Sequence, residues 1–202
     1  MLPYEERIIT MLSECKIGFG ITGSFCTFDK ILPQIKLLHD KGADITPVFS
    51  FNTQAMDTRF YNAKDFMGEV KEITGKEGFT TIQQAEQIGP GKLFDVMVIA
   101  PCTGNTLGKL ANGISDTPVL MAAKAHLRNE RPLVIAISTN DGLSMNFQNI
   151  GRLMNIKNIY FVPFGQDDYN SKSNSLVAKL DILFQSVSMA LDNKQIQPLL
   201  MY

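Results

Sequence analysis

The amino-acid sequence predicts a single α/β domain built on a doubly wound parallel sheet. Short, continuously apolar runs alternate with helical patterns along the whole chain. Such runs are typical of parallel strands that helices cover on both faces. Hydrophobic residues make up 45% of the 202 residues and charged residues 19%, a composition that suits one packed core. The sequence contains no repeat or linker that would divide it, so residues 1–202 are expected to form one domain.

Apolar runs predict at least five strands, at residues 16–21, 44–51, 94–100, 133–138 and 159–162. The run FDVMVIA at 94–100 is the clearest buried strand and is expected at the centre of the sheet. Right-handed crossovers between parallel strands then place helices on both faces, which gives three layers.

Helical patterns predict the elements between the strands, at residues 5–14, 26–41, 62–74, 117–129 and 148–155, with a shorter helix after Thr81. Their ends carry residues with known capping preferences, namely Gly42, Asn62, Thr81 and Thr117 followed by Pro118. Apolar residues near helical spacing predict a long C-terminal helix at about 174–192, packed on the domain. The segment 52–93 is the least regular and is expected to carry a mobile flap or a subunit contact.

Charge and cysteine content restrict the partners and the compartment. A net charge of −1 without a basic run makes nucleic acid and anionic membranes poor partners, although backbone amides can still bind small anions. An odd number of cysteines, with no CxxC pair and no secretory signal, favours the reducing cytoplasm. The two histidines are isolated in the sequence, which gives a metal site no support.

In such sheets ligands bind beyond the carboxyl ends of the strands, a rule that selects four loops, 20–27, 50–56, 100–106 and 138–147. The first loop contains GITGS at 20–24. Its glycines let the backbone approach a ligand, its hydroxyls can bind an anion, and the amides of the next helix point towards it. The loop matches neither GK[ST] nor GxGxxG, and a plain strand-to-helix turn is the alternative interpretation.

The other loops carry hydroxyl and amide side chains that suit the polar edge of a heteroaromatic ring. Ser50 follows the second strand, where a capped turn is the alternative. The third loop and its continuation read APCTGNTLGKLANGISD at 100–116, and the fourth reads STNDG at 138–142.

These motifs resemble those of the FMN-binding flavoprotein family, which includes cysteine decarboxylases and flavin prenyltransferases. The run at 100–116 is similar to the PASANT-type motif, and GITGS is similar to the family's FMN-phosphate loop. The resemblance covers about residues 16–165 and implies a Rossmann-like or flavodoxin-like three-layer flavoprotein fold that binds FMN, or a phosphate in its place.

The resemblance also assigns site residues. It implies a phosphate loop formed by Gly20, Thr22, Gly23 and Ser24. It implies contacts to the ribityl chain or the ring from Ser50, Thr103, Gly104, Asn105, Thr106, Ser138 and Thr139. Within this set and its surroundings, Asn105, Asn140 and Asp141 are the predicted catalytic groups, acting as hydrogen-bond donors and acceptors or, for Asp141, as a base. An Asp-Gly turn is the alternative role of Asp141.

Within the family, residues 100–143 and 158–168 most resemble one component of a two-component oxidoreductase that forms a pyridine-2,6-dicarboxylate in the mother cell of sporulating bacteria. This implies a small dicarboxylate substrate and a separate partner protein that carries NAD(P), since this chain has no nicotinamide-binding motif. The family resemblance further implies a trimer, or a dodecamer built from trimers, with the apolar stretch 107–125 as the expected contact.

Two other functions stay open: a stand-alone FMN-dependent decarboxylase or lyase, and a non-catalytic binding component with a relict flavin pocket. The decarboxylases use a histidine that residues 44–80 lack, and the prenyltransferases use an arginine where this chain has Ser138–Asn140, so neither chemistry is carried over.

Further side chains lie in or near the predicted site. Cys102 is expected to be an inert packing residue, with a reactive thiol as the alternative. His126 is expected on the surface or at an interface. Lys124 and Arg128 are expected on a solvated helix face, with dicarboxylate binding as the alternative. The acids at 167–168 are expected to be solvated, with a metal or partner role as the alternative.

Overall fold

The computed structural model describes residues 12–201 and contains a seven-stranded sheet in the order β2-β1-β3-β4-β7-β6, with β5 beside β4. The strands are β1 (Lys16–Ile21), β2 (Asp44–Phe49), β3 (Val96–Cys102), β4 (Leu133–Thr139), β5 (Ile159–Phe161), β6 (Phe164–Gly165) and β7 (Leu176–Ala178). The predicted helix at 5–14 lies almost entirely outside the described residues.

The first five strands are parallel, and β3 pairs with β1 on one side and β4 on the other. The doubly wound parallel sheet is therefore confirmed, with the predicted central strand inside it. That strand lies two residues further along than 94–100. Asp95 precedes it and bonds the start of β1, since its carboxylate accepts a hydrogen bond from the Lys16 amide at 3.0 Å. At the other end Cys102 still pairs with Ile137, beyond an irregularity in the ladder.

Nine helices cover the sheet within residues 12–201: α1 (Phe28–Asp40), α2 (Phe51–Ala55), α3 (Ala63–Thr74), α4 (Ile82–Glu86), α5 (Ile88–Gly91), α6 (Gly104–Ala111), α7 (Pro118–Leu127), α8 (Met145–Met154) and α9 (Leu183–Leu191). The three predicted N-caps are confirmed, and Gly42 follows the C-cap residue Lys41 of α1. Asn62 accepts from the Lys64 amide at 3.0 Å, Thr117 accepts from Leu120, and Thr81 forms a capping box. None of the helices in this part of the chain is long and apolar enough to cross a bilayer.

The predicted C-terminal helix at 174–192 is wrong in its first half. Residues Leu176–Ala178 form β7, a 3₁₀ turn follows at Leu180–Ile182, and α9 begins only at Leu183. Leu176 and Leu180 are buried, so the apolar pattern at these positions reflects burial in a strand and a turn and does not indicate a helix. Leu176 pairs antiparallel with Thr139 at the end of β4, a long-range contact that overrides the local helical pattern.

Three other expectations change. The third loop contains a helix, α6, and the predicted helix at 148–155 begins earlier, at Met145. In the segment 52–93, α3 packs on α1 through the stacked rings of Phe66 and Phe28, whose centroids lie 3.8 Å apart. Most other residues of the segment are exposed or half-buried, so the flap or subunit contact stays a prediction. The surface prediction for His126 is wrong. Its side chain is buried and its Nε2 lies 2.9 Å from the Pro132 carbonyl oxygen.

Candidate functional site

Two adjoining cavities lie at the carboxyl edge of the sheet. The larger, about 510 Å³, is bounded by the first and fourth loops and by the β6–β7 connection. The smaller, about 210 Å³, is bounded by the first, second and third loops. Gly23 and Thr103 line both. Small-molecule sites occupy about 300–1,000 Å³, so the larger cavity alone or both together can hold a cofactor-sized ligand.

Thr22 fixes the wall between the first and third loops. Its buried hydroxyl donates to the Pro101 carbonyl at 2.7 Å and accepts from the Thr103 amide at 3.0 Å. These two bonds engage the hydroxyl inside the protein as both donor and acceptor. Thr22 therefore positions the predicted site, and its hydroxyl is not free to bind a phosphate.

The smaller cavity is framed by two helix N-termini. Ser50 caps α2 by accepting from the Thr53 amide at 3.3 Å. Thr103 caps α6 by accepting from the Thr106 amide at 3.3 Å, and the hydroxyls of these two threonines are 3.0 Å apart. Asn105 is exposed at the same wall. These predicted residues therefore converge on one cavity whose hydroxyls and helix end suit an anion.

The first and fourth loops meet at the larger cavity. The Ser24 and Ser138 hydroxyls are 2.8 Å apart, and Thr139 and Asn140 line the same wall. The fold thus brings the four predicted residues to one wall, although Ser24 and Ser138 are 114 residues apart in the sequence.

Asp141 lies behind the wall and lines neither cavity. Its carboxylate accepts hydrogen bonds from the Thr139 hydroxyl and from Asn146 Nδ2, the latter at 2.9 Å. A Cβ atom at Gly104 would lie 2.5–2.6 Å from these three side chains. Only glycine therefore fits at 104, and the Asp141 carboxylate lies against the first turn of α6 and not at the wall of either cavity.

Gly20 also has a structural place. It lies within β1, where an added Cβ would lie 2.9 Å from Val119 Cγ1 and 3.3 Å from the Val98 carbonyl. Close packing of α7 on the sheet explains this glycine. Of the predicted phosphate loop, Gly23 and Ser24 face the larger cavity.

Charged residues distinguish the two cavities, and sequence reasoning missed most of them. In the smaller, Lys109 Nζ lies 2.8 and 3.0 Å from the two carboxylate oxygens of Asp116. The larger is lined by Lys30, Asp167 and Lys172. Lys30 belongs to no recognisable motif. Lys172 and Asp167 lie on the β6–β7 connection, and the sequence does not predict this antiparallel pair of strands.

The cysteines differ in exposure. Burial raises the pKa of the Cys102 thiol well above its ordinary value and that of Cys15 to about 12, so both stay protonated and the packing role of Cys102 is favoured. Cys26 is exposed and lines the larger cavity. Lys124 and Arg128 are both exposed, as expected, and neither lines one of the two cavities.

A parallel sheet with polar loops converging beyond its strand ends defines a nucleotide- or flavin-binding class of α/β protein. The sequence profile of the Flavoprotein family matches residues 6–180, and the chain belongs to this family. It is similar to the B subunit of dipicolinate synthase from Bacillus subtilis (strain 168), with 50% identity over 185 residues and 92% of each chain covered.

Two solved structures show the same fold. The crystal structure of the dipicolinate synthase B subunit from Bacillus halodurans C has a TM-score of 0.87 and 46% identity, covering 95% of this chain and 98% of that one. The FMN-dependent cysteine decarboxylase SpaF has a TM-score of 0.65 and 23% identity, covering 90% of this chain and 97% of that one. The latter similarity is one of fold.

Proposed function

We propose that this chain acts as the B subunit of a dipicolinate synthase, which forms pyridine-2,6-dicarboxylate from a dihydrodipicolinate-type intermediate in the mother cell of a sporulating bacterium. The observation that carries the proposal is its full-length similarity to the B subunits of two dipicolinate synthases. The A subunit of the synthase would be the partner that carries NAD(P), because this chain has no nicotinamide-binding motif. The two cavities support a role in binding a cofactor and the intermediate.

The residues present fit FMN, the cofactor that the family suggests. The smaller cavity offers the N-terminus of α6 and the Thr106 hydroxyl, a donor set that suits a phosphate and ribityl chain. Continuity through Gly23 and Thr103 would let the ring extend into the larger cavity. In this proposal the N-terminus of α6 would hold the phosphate, and the phosphate loop predicted at residues 20–24 stays the alternative. When bound, FMN supplies a redox-active ring.

The chain's own residues would bind and orient the intermediate. Asn105 and Asn140 are exposed at the walls of the smaller and the larger cavity, respectively, with amides that can donate and accept. Asp141 would hold Thr139 in place through its hydrogen bond. Oxidation of the reduced ring releases two electrons, and repeated turnover needs an acceptor that carries them away. We assign that acceptor to the NAD(P) of the partner, so this chain alone is expected to form no dipicolinate at a useful rate.

Reconstitution with the NAD(P)-carrying partner tests the proposal. The purified chain is expected to show a flavin absorbance spectrum, and the pair is expected to form dipicolinate where neither protein does so alone. Asn105→Ala should lower turnover while formation of the complex, measured by size-exclusion chromatography, stays intact. Asn155→Ala is the matched control, since Asn155 is exposed at the end of α8. Full turnover by either protein alone would contradict the division of labour.

A stand-alone decarboxylase is the second candidate, and the missing histidine and arginine count against it. Release of carbon dioxide from a peptidyl-cysteine or aromatic acid by the chain alone would favour it. A relict pocket would retain phosphate and leave turnover of the pair unaffected by substitutions in either cavity.

The proposed assembly is a homo-oligomer, a trimer or a dodecamer. The expected contact at 107–125 is revised, because Leu107, Val119 and Leu120 are buried within the protomer and only Ile114 among the segment's large apolar side chains is exposed. Exposed apolar side chains instead follow the second and fourth strands, at Phe51, Met56, Phe60, Leu143, Met145 and Phe147. Sedimentation of Met145→Lys together with Phe147→Lys should reveal smaller species, and an unchanged oligomer would exclude this surface.

A further inference from the structure

We propose that the larger cavity recognises a small aromatic dicarboxylate through two lysines, Lys30 from α1 and Lys172 from the β6–β7 connection, each binding one carboxylate. The inference rests on the proposed function and assigns the residues that select the substrate. Both lysines line this cavity, where the one acidic neighbour in the described wall is Asp167. The wall is therefore net positive, whereas the smaller cavity pairs its Lys109 with Asp116.

Lys30 has a position that a bound anion would explain. It is the third residue of α1, a helix of 13 residues, and a positive charge in the first turn is unfavourable because the helix N-terminus is itself positive. Within residues 12–201 no ion pair or hydrogen bond compensates its ammonium group. Its neighbours in the wall include the Ser24 hydroxyl and the ring of Phe25. A carboxylate in the cavity would offset both positive charges.

Lys172 is held where it can exchange partners. Its amide donates to the Asp168 carbonyl at 2.8 Å, and its own carbonyl accepts from the Ser175 amide at 2.9 Å, so its backbone is fixed on both sides. Its ammonium group lies 3.4 Å from the Asp167 carboxylate, at the limit of direct contact, and its side chain is 52% exposed. Such exposed pairs are weak, and a ligand carboxylate can therefore replace Asp167.

The remaining wall suits a flat ring between the two charges. Phe25, Phe60 and Val177 provide apolar surface, and Asn140 provides an amide that can bond a ring nitrogen. A monocarboxylate would engage one lysine, whereas a dicarboxylate would engage both. The arrangement thus predicts discrimination by the second carboxylate rather than by ring shape alone.

Calorimetry on the FMN-loaded chain tests this, with pyridine-2,6-dicarboxylate and pyridine-2-carboxylate as probes in a buffer free of divalent cations. The dicarboxylate is expected to bind about tenfold more tightly, since one charge-assisted contact contributes about 1.4 kcal/mol. Lys30→Met and Lys172→Met should each remove that preference. Lys36→Met is the matched control, because Lys36 lies on the same helix and pairs with Asp40. Asp167→Asn should tighten dicarboxylate binding about two- to threefold, by removing the competing acid.

The outcomes separate this inference from the proposed function. Unchanged dicarboxylate binding in both lysine variants, or none by the parent chain, overturns the inference even if turnover of the reconstituted pair is intact. Loss of FMN instead of dicarboxylate also overturns it, because the lysines would then serve the cofactor. If the chain preferred the dicarboxylate through both lysines but the reconstituted pair formed no dipicolinate, the inference would be supported and the synthase proposal refuted. Circular dichroism checks folding, and Lys30→Gln and Lys172→Gln replace any variant that fails it.

Discussion

The two cavities share a wall but are built on different principles. The smaller is framed by loops of the parallel sheet, whose hydroxyls at Thr22, Ser50 and Thr103 are fixed by bonds inside the protein. The larger is closed on one side by the antiparallel β6–β7 connection, which carries exposed charged side chains. The smaller cavity therefore has a frame of neutral hydroxyls held by hydrogen bonds. The larger cavity has a rim of exposed side chains that carries a net positive charge and can change its contacts.

This difference separates cofactor binding from substrate selection. Buried hydroxyls that are already bonded lose little freedom when a ligand arrives, which favours tight binding of a constant partner. Exposed lysines can change partners at little cost, which favours exchange of a reactant. Substitutions in the rigid frame should therefore affect stability and cofactor binding together, whereas substitutions of Lys30 and Lys172 at the rim should mainly affect substrate binding.

The largest effect is expected at Gly104. Gly104→Ala places a Cβ 2.5 Å from Asn146 Nδ2 and should lower the free energy of unfolding by about 3 kcal/mol, as overpacking does. FMN binding should weaken with it, measured by fluorescence titration alongside urea unfolding. Gly108→Ala in the same helix is the control, since its nearest neighbour atom would be 3.5 Å away. Equal stability of the two variants would contradict a rigid frame at this position.

A smaller effect is expected at Thr22. Thr22→Val leaves the Pro101 carbonyl and the Thr103 amide without their shared partner, which should cost about 2 kcal/mol of unfolding free energy. Thr22→Ser keeps the hydroxyl and should retain FMN affinity. If Val and Ser variants bound FMN equally, the bridge between the loops would not position the site.

The smallest effect is expected at His126, which lies at the opposite edge of the sheet, away from both cavities. Burial lowers the pKa of His126 to about 4, below its ordinary value of about 6.5. The unfolded chain therefore binds a proton first as pH falls, and stability should drop by about 1 kcal/mol between pH 7 and pH 5.5. His126→Gln should reduce this pH dependence in urea unfolding. A flat profile in the parent chain would exclude a buried, neutral histidine.

Sequence patterns predict the parallel half of the fold well because burial on both faces leaves a continuous apolar signal. The strand at 16–21 has its predicted bounds, and β4 extends one residue past the predicted 133–138. The antiparallel pair escapes prediction, because strands of two and three residues are too short to show a period. The predicted end of β3 is wrong because Pro101 favours a stop, although the chain continues extended to Cys102.

The sequence predicts those site residues that directly follow the ends of the parallel strands. Ser24, Ser50, Thr103 and Ser138 converge as the rule for strand ends requires. The rule does not give the direction of each side chain, and the Thr22 hydroxyl and the Asp141 carboxylate are both engaged in hydrogen bonds inside the protein. Lys30 and Lys172 are ordinary residues in the sequence, and only the fold brings them to one cavity; their role stays a proposal.

The shared wall has a thermodynamic consequence. Gly23 and Thr103 contact whatever fills either cavity, so occupancy of one should change affinity for the other, and linkage requires the two changes to be the same factor. If a reduced cofactor ring held the dicarboxylate less firmly than an oxidised one, the dicarboxylate would shift the reduction potential of the flavin by the matching amount. A titration of that reduction potential against dicarboxylate concentration would then measure the coupling free energy between the two cavities, which share Gly23 and Thr103.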